Sequence, residues 1–259
     1  MKTLILTELF VLRRRSVGRA MLWACTGLPV AAALLYGQLS SSDMTFNEKP
    51  VSELLAFSGP DATQVALRAL HVLLPLFILA LAGQSWAGER SAHVLREQCV
   101  RPVSRAMLLG AKVLSLWALA LMCLLGTSVA SLLITTPWLG SDGPWSDLAV
   151  SVLVSAPCLL GLTMLAACIA QFGRSTASVI VGGLLFLGID LGIRLGLSGL
   201  AFMGVSWAAP LKSGLFGTAV GQWSTSVEGF AWGAVLGLVC WLIGLTTLAW
   251  RRVDRMEIP

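Results

Sequence analysis

Residues 88–112, GERSAHVLREQCVRPVSRAMLLGAK, form the polar break around which the chain is arranged. Glu89, Arg90, Arg96, Glu97, Arg101 and Arg105 crowd into seventeen positions, while the sequence on either side is apolar and rich in glycine. Val94, Leu95, Val100 and Val103 are interleaved with the charges, the pattern of an amphipathic helix lying at a membrane surface. Pro102 has no backbone N–H and restricts the residue before it, so it ends that helix and redirects the chain into the next apolar run. In its plainest reading the segment is a basic loop held on one side of a membrane by its charge.

The composition requires a membrane. Of the 259 residues 56% are hydrophobic and only 12% charged, and the mean hydropathy is +0.83. A soluble domain carries roughly 25% charged residues, which this chain lacks for a wetted surface. The basic cluster Arg13-Arg14-Arg15 with Arg19 precedes a long apolar run without a well-placed small-residue cleavage site, so no cleaved signal peptide is expected. Five of the six cysteines (Cys25, Cys123, Cys158, Cys168 and Cys240) sit inside apolar runs, which argues against a disulfide framework. Cys99 with His93 is too sparse for a structural zinc site, and no metal is expected. His71 and His93 read as packing or surface residues.

Six apolar runs can be counted outward from the break, at about 20–39, 66–87, 108–135, 148–171, 176–197 and 229–250, each of roughly the twenty residues that a hydrocarbon core requires. Residues 1–19 are too short and too charged to span and suit a helix lying in the interface. Residues 40–65 are polar and mostly acidic, and 198–228 are less apolar; both read as external, the latter with short helices resting on the membrane. Residues 88–107 form the segment between spans two and three. Lys2, Arg13, Arg14, Arg15, Arg19, Arg90, Arg96, Arg101, Arg105, Lys112, Arg174, Arg251, Arg252 and Arg255 fall on one side of this scheme, fourteen of the eighteen Lys and Arg. The positive-inside rule then puts both termini in the cytoplasm. The expected fold is an all-α integral membrane domain of six transmembrane helices, with an N-terminal interfacial helix and a cytoplasmic coupling helix.

Glu89-Arg90, Leu95, Pro102-Val103-Ser104-Arg105, Leu108-Leu109 and Lys112 together resemble the cytoplasmic hallmark of type-2 ABC transporter permeases. The chain departs from that pattern at His93-Val94-Leu95, where the family usually has Gly-Thr-Leu. The resemblance implies a permease subunit in a bacterial inner membrane, paired with a second copy or paralogue. Two separate ABC ATPase subunits would hold the ATP and magnesium. It implies export or mechanical signalling, and leaves room for an accessory periplasmic or membrane protein. Glu89, Arg90, Arg96, Arg101 and Arg105 become the expected ATPase-docking residues; in the bland alternative they bind lipid phosphates. No P-loop GxxxxGK[ST], HExxH or nucleophile elbow is present, so the chain is read as non-enzymatic and binding no cofactor itself. Nucleic acid is not an expected partner.

Asp190 and Arg194 are the one conspicuous charged pair inside an apolar run. Four residues apart, they share a helix face and can pair, and charges at such depth normally face a cavity or a partner. They read either as a structural pair or as a substrate contact. Gly188, Gly192 and Gly196 lie roughly on the opposite face, where small residues permit close helix approach, and Gly233 and Gly237 form a second packing pair. Trp117, Trp232 and Trp241 read as ordinary lipid-facing or interfacial residues. An acidic residue placed like Asp190 is also similar to one in the permease subgroup serving nitrous-oxide reductase maturation. The alternative to an ABC permease is a secondary transporter or scaffold that needs no ATPase. Such transporters carry broken helices and midplane ionisable groups, of which this chain offers the single pair.

Overall fold

The computed structural model describes residues 2–40, 45–46, 49–50, 58–91, 104–143, 145–220 and 232–254. Helix α1 (Lys2–Arg14) is followed by α2 (Ser16–Ser40), then by two-residue strands at Thr45–Phe46 and Lys49–Pro50 that pair antiparallel. Helix α3 (Gly59–Gly83) passes through a π-helical turn (Gln84–Gly88) into a final α-helical turn, Glu89–Ser91. The long helices α4 (Arg105–Leu139), α5 (Trp145–Phe172) and α6 (Thr176–Phe202) follow. Two short helices, α7 (Ala208–Ser213) and α8 (Phe216–Val220), precede α9 (Trp232–Asp254). Among the described residues five helices, α3 with its π turn, α4, α5, α6 and α9, are long and apolar enough to cross a membrane. The first expected span corresponds to α2, a helix of 25 residues that packs against α3 and α4.

The helix ends follow from local side-chain chemistry. Helix α3 begins at Gly59 rather than at Ala66, because Ser58 and Asp61 close a reciprocal capping box and Pro60 occupies the first turn. Ser58 N–H donates to Asp61 Oδ2 at 3.2 Å while Asp61 N–H donates to Ser58 Oγ at 3.4 Å. Asp61 is thus a helix-initiating residue and not part of an acidic loop. Ser104 caps α4 by accepting from Met107 N–H, and Ser175 caps α6 by accepting from Ser178 N–H. Helix α4 ends at Gly140, whose φ of 82° suits glycine. Residues 173–175 make the tight turn between α5 and α6 expected from Gly173-Arg174-Ser175.

Helix α3 is the central post, packed against α2, α4, α5 and α6. Its fully buried Leu67, Leu70, Leu74, Ile78, Leu79 and Leu81 fill the core. Gly83 lets α3 approach the start of α6 so closely that a Cβ there would lie 3.1 Å from Thr176 Cα. Helices α6 and α9 form the outer rim: 17% and 22% of their most apolar stretches are buried, against 50–61% in α3, α4 and α5. The remaining apolar surface faces whatever surrounds the subunit. One end of the bundle gathers the end of α3, the starts of α4 and α6, and the ends of α5 and α9, with α1 lying along the first turns of α4. Arg15, Arg90, Arg105, Lys112, Arg174, Arg251 and Arg252 belong to this end, as the one-sided charge count requires.

Candidate functional site

At that end, at the root of the 88–107 segment, lies a cluster of four charges, of which Glu8, Glu89 and Lys112 are buried and Arg15 is half-buried. Lys112 side chain is 1% exposed; its Nζ lies 2.6 Å from Glu89 Oε2 and 3.4 Å from Glu8 Oε1. Arg15 Nη2 donates to the other Glu89 oxygen. Lys112 Nζ also donates to Ser85 O and Oγ, each at 3.3 Å, and sits 5.7 Å from the centre of the Trp86 ring. Nearby, Ser115 Oγ approaches Ile5 O at 3.0 Å, a second link between α4 and α1. The charges sum to zero, so the group can be withdrawn from water without leaving a net ion.

Glu8 and Leu12, four apart, share the face that α1 turns toward α4, and Arg15 follows in the bend between α1 and α2. The π turn Gln84–Gly88 rotates the end of α3 relative to a continuous α-helix, and such turns recur at functional sites. It brings the Ser85 carbonyl, the Trp86 ring and Glu89 onto Lys112. Lys112 reaches back from the second turn of α4, where its (CH₂)₄ stem is sheathed by the core.

The neighbouring arginines close helix ends. Arg90 Nη2 donates to Gln171 O at 3.1 Å and Nη1 to Gly173 O at 3.5 Å, satisfying carbonyls at the end of α5. Burial, and second the nearby charge of Arg252, push the Arg90 guanidinium below its ordinary value. Arg252 lies 5.3 Å over the Phe172 ring. Arg105 Nη1 donates to Val253 O at 3.4 Å, and with Leu109, Trp250 and Val253 it lines a cleft of about 230 Å³.

Among the expected docking residues, Glu89 is therefore turned inward, its carboxylate committed to Arg15 and Lys112 rather than presented to a partner. Arg90 and Arg105 tie the segment's two roots to α5 and α9. Arg96 and Arg101 lie outside the described residues. Glu8 and Arg15 were not singled out by sequence; the available signal was a lone carboxylate in a basic interfacial helix, seven residues before an arginine.

A second charged site lies at the opposite end. Arg194 Nε is 2.9 Å from Asp190 Oδ2, close enough for an ion pair but poorly directed for a hydrogen bond. The same oxygen accepts from Gly217 N–H at 3.0 Å. Asp190 is buried and fastens α8 onto α6. Gly217 lets the pair approach the α8 backbone, since a Cβ there would displace the carboxylate and lie 2.6 Å from the Arg194 guanidinium. Phe186, Phe216 and Trp241 stack edge to face with centroids 5.5–6.0 Å apart, and Trp241 Nε1 donates to Gly214 O at 3.1 Å. Residues 208–220 are thus docked on α6 and α9, and Trp241 is a packing residue, not an ordinary lipid-facing one. Trp117 Nε1 likewise donates to Ala156 O at 2.8 Å. The Trp232 side chain lies outside the described residues.

The glycine faces part company. A Cβ at Gly188, Gly192 or Gly196 would meet nothing within 4 Å, so within the subunit this face is unpacked while the charged face is buried, the reverse of a packed glycine seam. Gly237 does pack, a Cβ there reaching 3.1 Å from Gly214 Cα. Gly233 lies in the first turn of α9, with surroundings outside the described residues.

Residues 4–188 match a family described as ABC-2 family transporter protein. No curated protein matches the chain.

Removing Lys112 strands the buried Glu8 carboxylate and leaves Glu89 with Arg15 alone, and breaking a buried pair costs about 3–5 kcal/mol. Lys112→Gln should therefore lower the thermal midpoint of the purified protein well beyond Arg174→Gln, at an exposed turn. Equal midpoints for the two variants would show the cluster to be energetically inert.

Asp190→Asn should lower folded yield, because Arg194 loses its counter-charge where a central charge costs about 2.5–3.5 kcal/mol and less toward an interface. Adding Arg194→Gln should restore most of the yield. Size-exclusion recovery of the single and double variants measures both, and a double variant no better than Asp190→Asn would refute the structural role.

Proposed function

The chain belongs to the ABC-2 family of transporter proteins, and we propose that it is the membrane-spanning permease subunit of a transporter driven by two separate ATPase subunits on the cytoplasmic face. It is a multi-pass membrane protein and an ABC transporter permease. The finer reading adds six spans, with α2 as the first, both termini in the cytoplasm of a bacterial inner membrane, and a second permease copy or paralogue. It also adds export or force transmission as the task.

The observation that supports this reading is the Glu8–Lys112–Glu89–Arg15 cluster. A permease that receives thrust from outside the membrane needs the receiving segment joined rigidly to the spans that must move. Residues 88–107 leave α3 beside Glu89 and enter α4 just before Lys112, and these two side chains grip each other at 2.6 Å. Arg15 and Glu8 bring α1 into the same joint, and Arg90 brings the end of α5. Thrust on the segment is then delivered to α1, α3, α4 and α5 as one lever. Arg96 and Arg101 carry the docking role, since Glu89 is engaged internally. Asp190 serves the outer end by holding α8 on α6, which supports the structural reading of the pair over a substrate contact.

Reversing both Arg96 and Arg101 to Glu should leave the protein in the membrane in normal amount yet lose an ATP-hydrolysing subunit on affinity purification, because unpairing charges at a contact costs about 2–5 kcal/mol. Full recovery of that subunit together with normal transport would sink the docking assignment.

Orientation can be tested separately on a background lacking the six native cysteines. Single cysteines at Ser91 and Arg174 should resist an impermeant thiol reagent in intact cells, and one at Ser141 should react. Labelling at position 91 from outside would reverse the topology.

A further inference from the structure

The basic run near the N-terminus divides its labour. Arg15 turns inward to Glu89, whereas Arg13, Arg14 and Arg19 are exposed and together with Phe10 line an open cleft of about 630 Å³. Arg14 Cζ lies 4.3 Å from the centre of the Phe10 ring, a cation–π contact that helps hold the guanidinium in place. The acidic residue of α1, Glu8, is on the opposite face and engaged by Lys112. The cleft therefore concentrates the positive charge of three arginines at the junction of α1 and α2.

Beside the cleft, α1 exposes Leu6 and Phe10 at 56% and 55%, and α2 exposes Trp23 at 76%. Residues 6, 10, 13 and 14 fall on one helical face, apolar first and cationic next. An inorganic anion has no use for that apolar flank; a phospholipid has a phosphate for the guanidiniums and acyl chains for Leu6 and Phe10. The volume also lies within the roughly 300–1,000 Å³ of small-molecule sites. We propose that Arg13, Arg14 and Arg19 bind the phosphate headgroup of an anionic phospholipid, with its acyl chains along the exposed face of α1. The lipid would lie on one face of α1 while Glu8, on the opposite face, joins the charge cluster. The inference rests on α1 lying at a membrane surface and not on ATPase docking.

The test uses the full-length protein in nanodiscs of equal parts phosphatidylglycerol and phosphatidylcholine, released and examined by native mass spectrometry. Phosphatidylglycerol should be retained preferentially, and the triple variant Arg13→Gln, Arg14→Gln, Arg19→Gln should reduce that retention by at least about tenfold, each basic residue near an anionic surface contributing to attraction. Arg174→Gln, a remote exposed arginine, should retain it as the wild type does. Equal retention of the two lipids by the wild type, or an equal loss in Arg174→Gln, would overturn the site, and neither outcome depends on the triple variant folding. Millimolar inorganic phosphate that stabilises the detergent-solubilised protein as well as phosphatidylglycerol does would also overturn it, by showing a free-anion site. Recovery of the ATPase subunit in the Arg96/Arg101 variant is a separate readout, so failure of the lipid site leaves the docking reading standing.

Discussion

Lys112 must keep its charge in a place that water does not reach, and much of the structure at that end of the bundle is arranged around this requirement. An ammonium in a medium of low dielectric is tolerated only when opposite charge and hydrogen-bond acceptors surround it. Glu89 and Glu8 supply the charge, Ser85 supplies two oxygens, and Arg15 balances the second carboxylate. These groups come from α1, the bend before α2, the π turn of α3 with the helical turn that follows it, and the N-terminal part of α4. None of these elements can shift alone without unpairing an ion. A stretch of chain that would otherwise be a surface helix is therefore welded to the core.

The same constraint suits the proposed coupling role, in which a cluster whose separation is costly would transmit displacement instead of absorbing it. The 88–107 segment is rooted on both sides in residues that make long-range contacts: Arg90 to the end of α5, Glu89 and Lys112 to each other and to α1, Arg105 to the end of α9. Arginine suits the helix ends because its fork reaches more than one carbonyl, as Arg90 does with Gln171 and Gly173. At the opposite end the design is smaller. Asp190 and a three-ring aromatic cluster seat α7 and α8 against α6 and α9, closing that side without any buried net charge.

The outer rim is built differently again. Helix α6 turns Asp190 inward and leaves Gly188, Gly192 and Gly196 facing out, so its charged face meets the protein and its smooth face meets the surroundings. The carboxylate is tolerated there because Gly217 N–H and Arg194 meet it, whereas the glycines carry no side-chain area whose burial would favour the opposite orientation. Val179, Gly183 and Leu197 are buried on this helix together with Asp190, and Phe186 packs on Phe216 and Trp241.

Much was legible in the sequence alone. Membrane residence, the helical class, the approximate apolar runs and the gathering of basic residues at one end follow from composition and length, which are sums over neighbouring residues and need no knowledge of packing. The Ser58–Asp61 and Ser175–Ser178 caps are equally local and could have been read from spacing. What only the tertiary structure decided is which charge meets which. Glu8 and Lys112 are 104 positions apart, and Arg15 and Glu89 are 74; no pattern within a window links them. In the run Arg13-Arg14-Arg15 the first two end α1 and stay exposed, while the third, in the bend before α2, meets Glu89. Glu89 turned inward, and Trp241 left the lipid for Phe186 and Phe216, for one physical reason: a buried polar or aromatic group takes the partner that packing brings within reach, and packing is a property of the whole bundle.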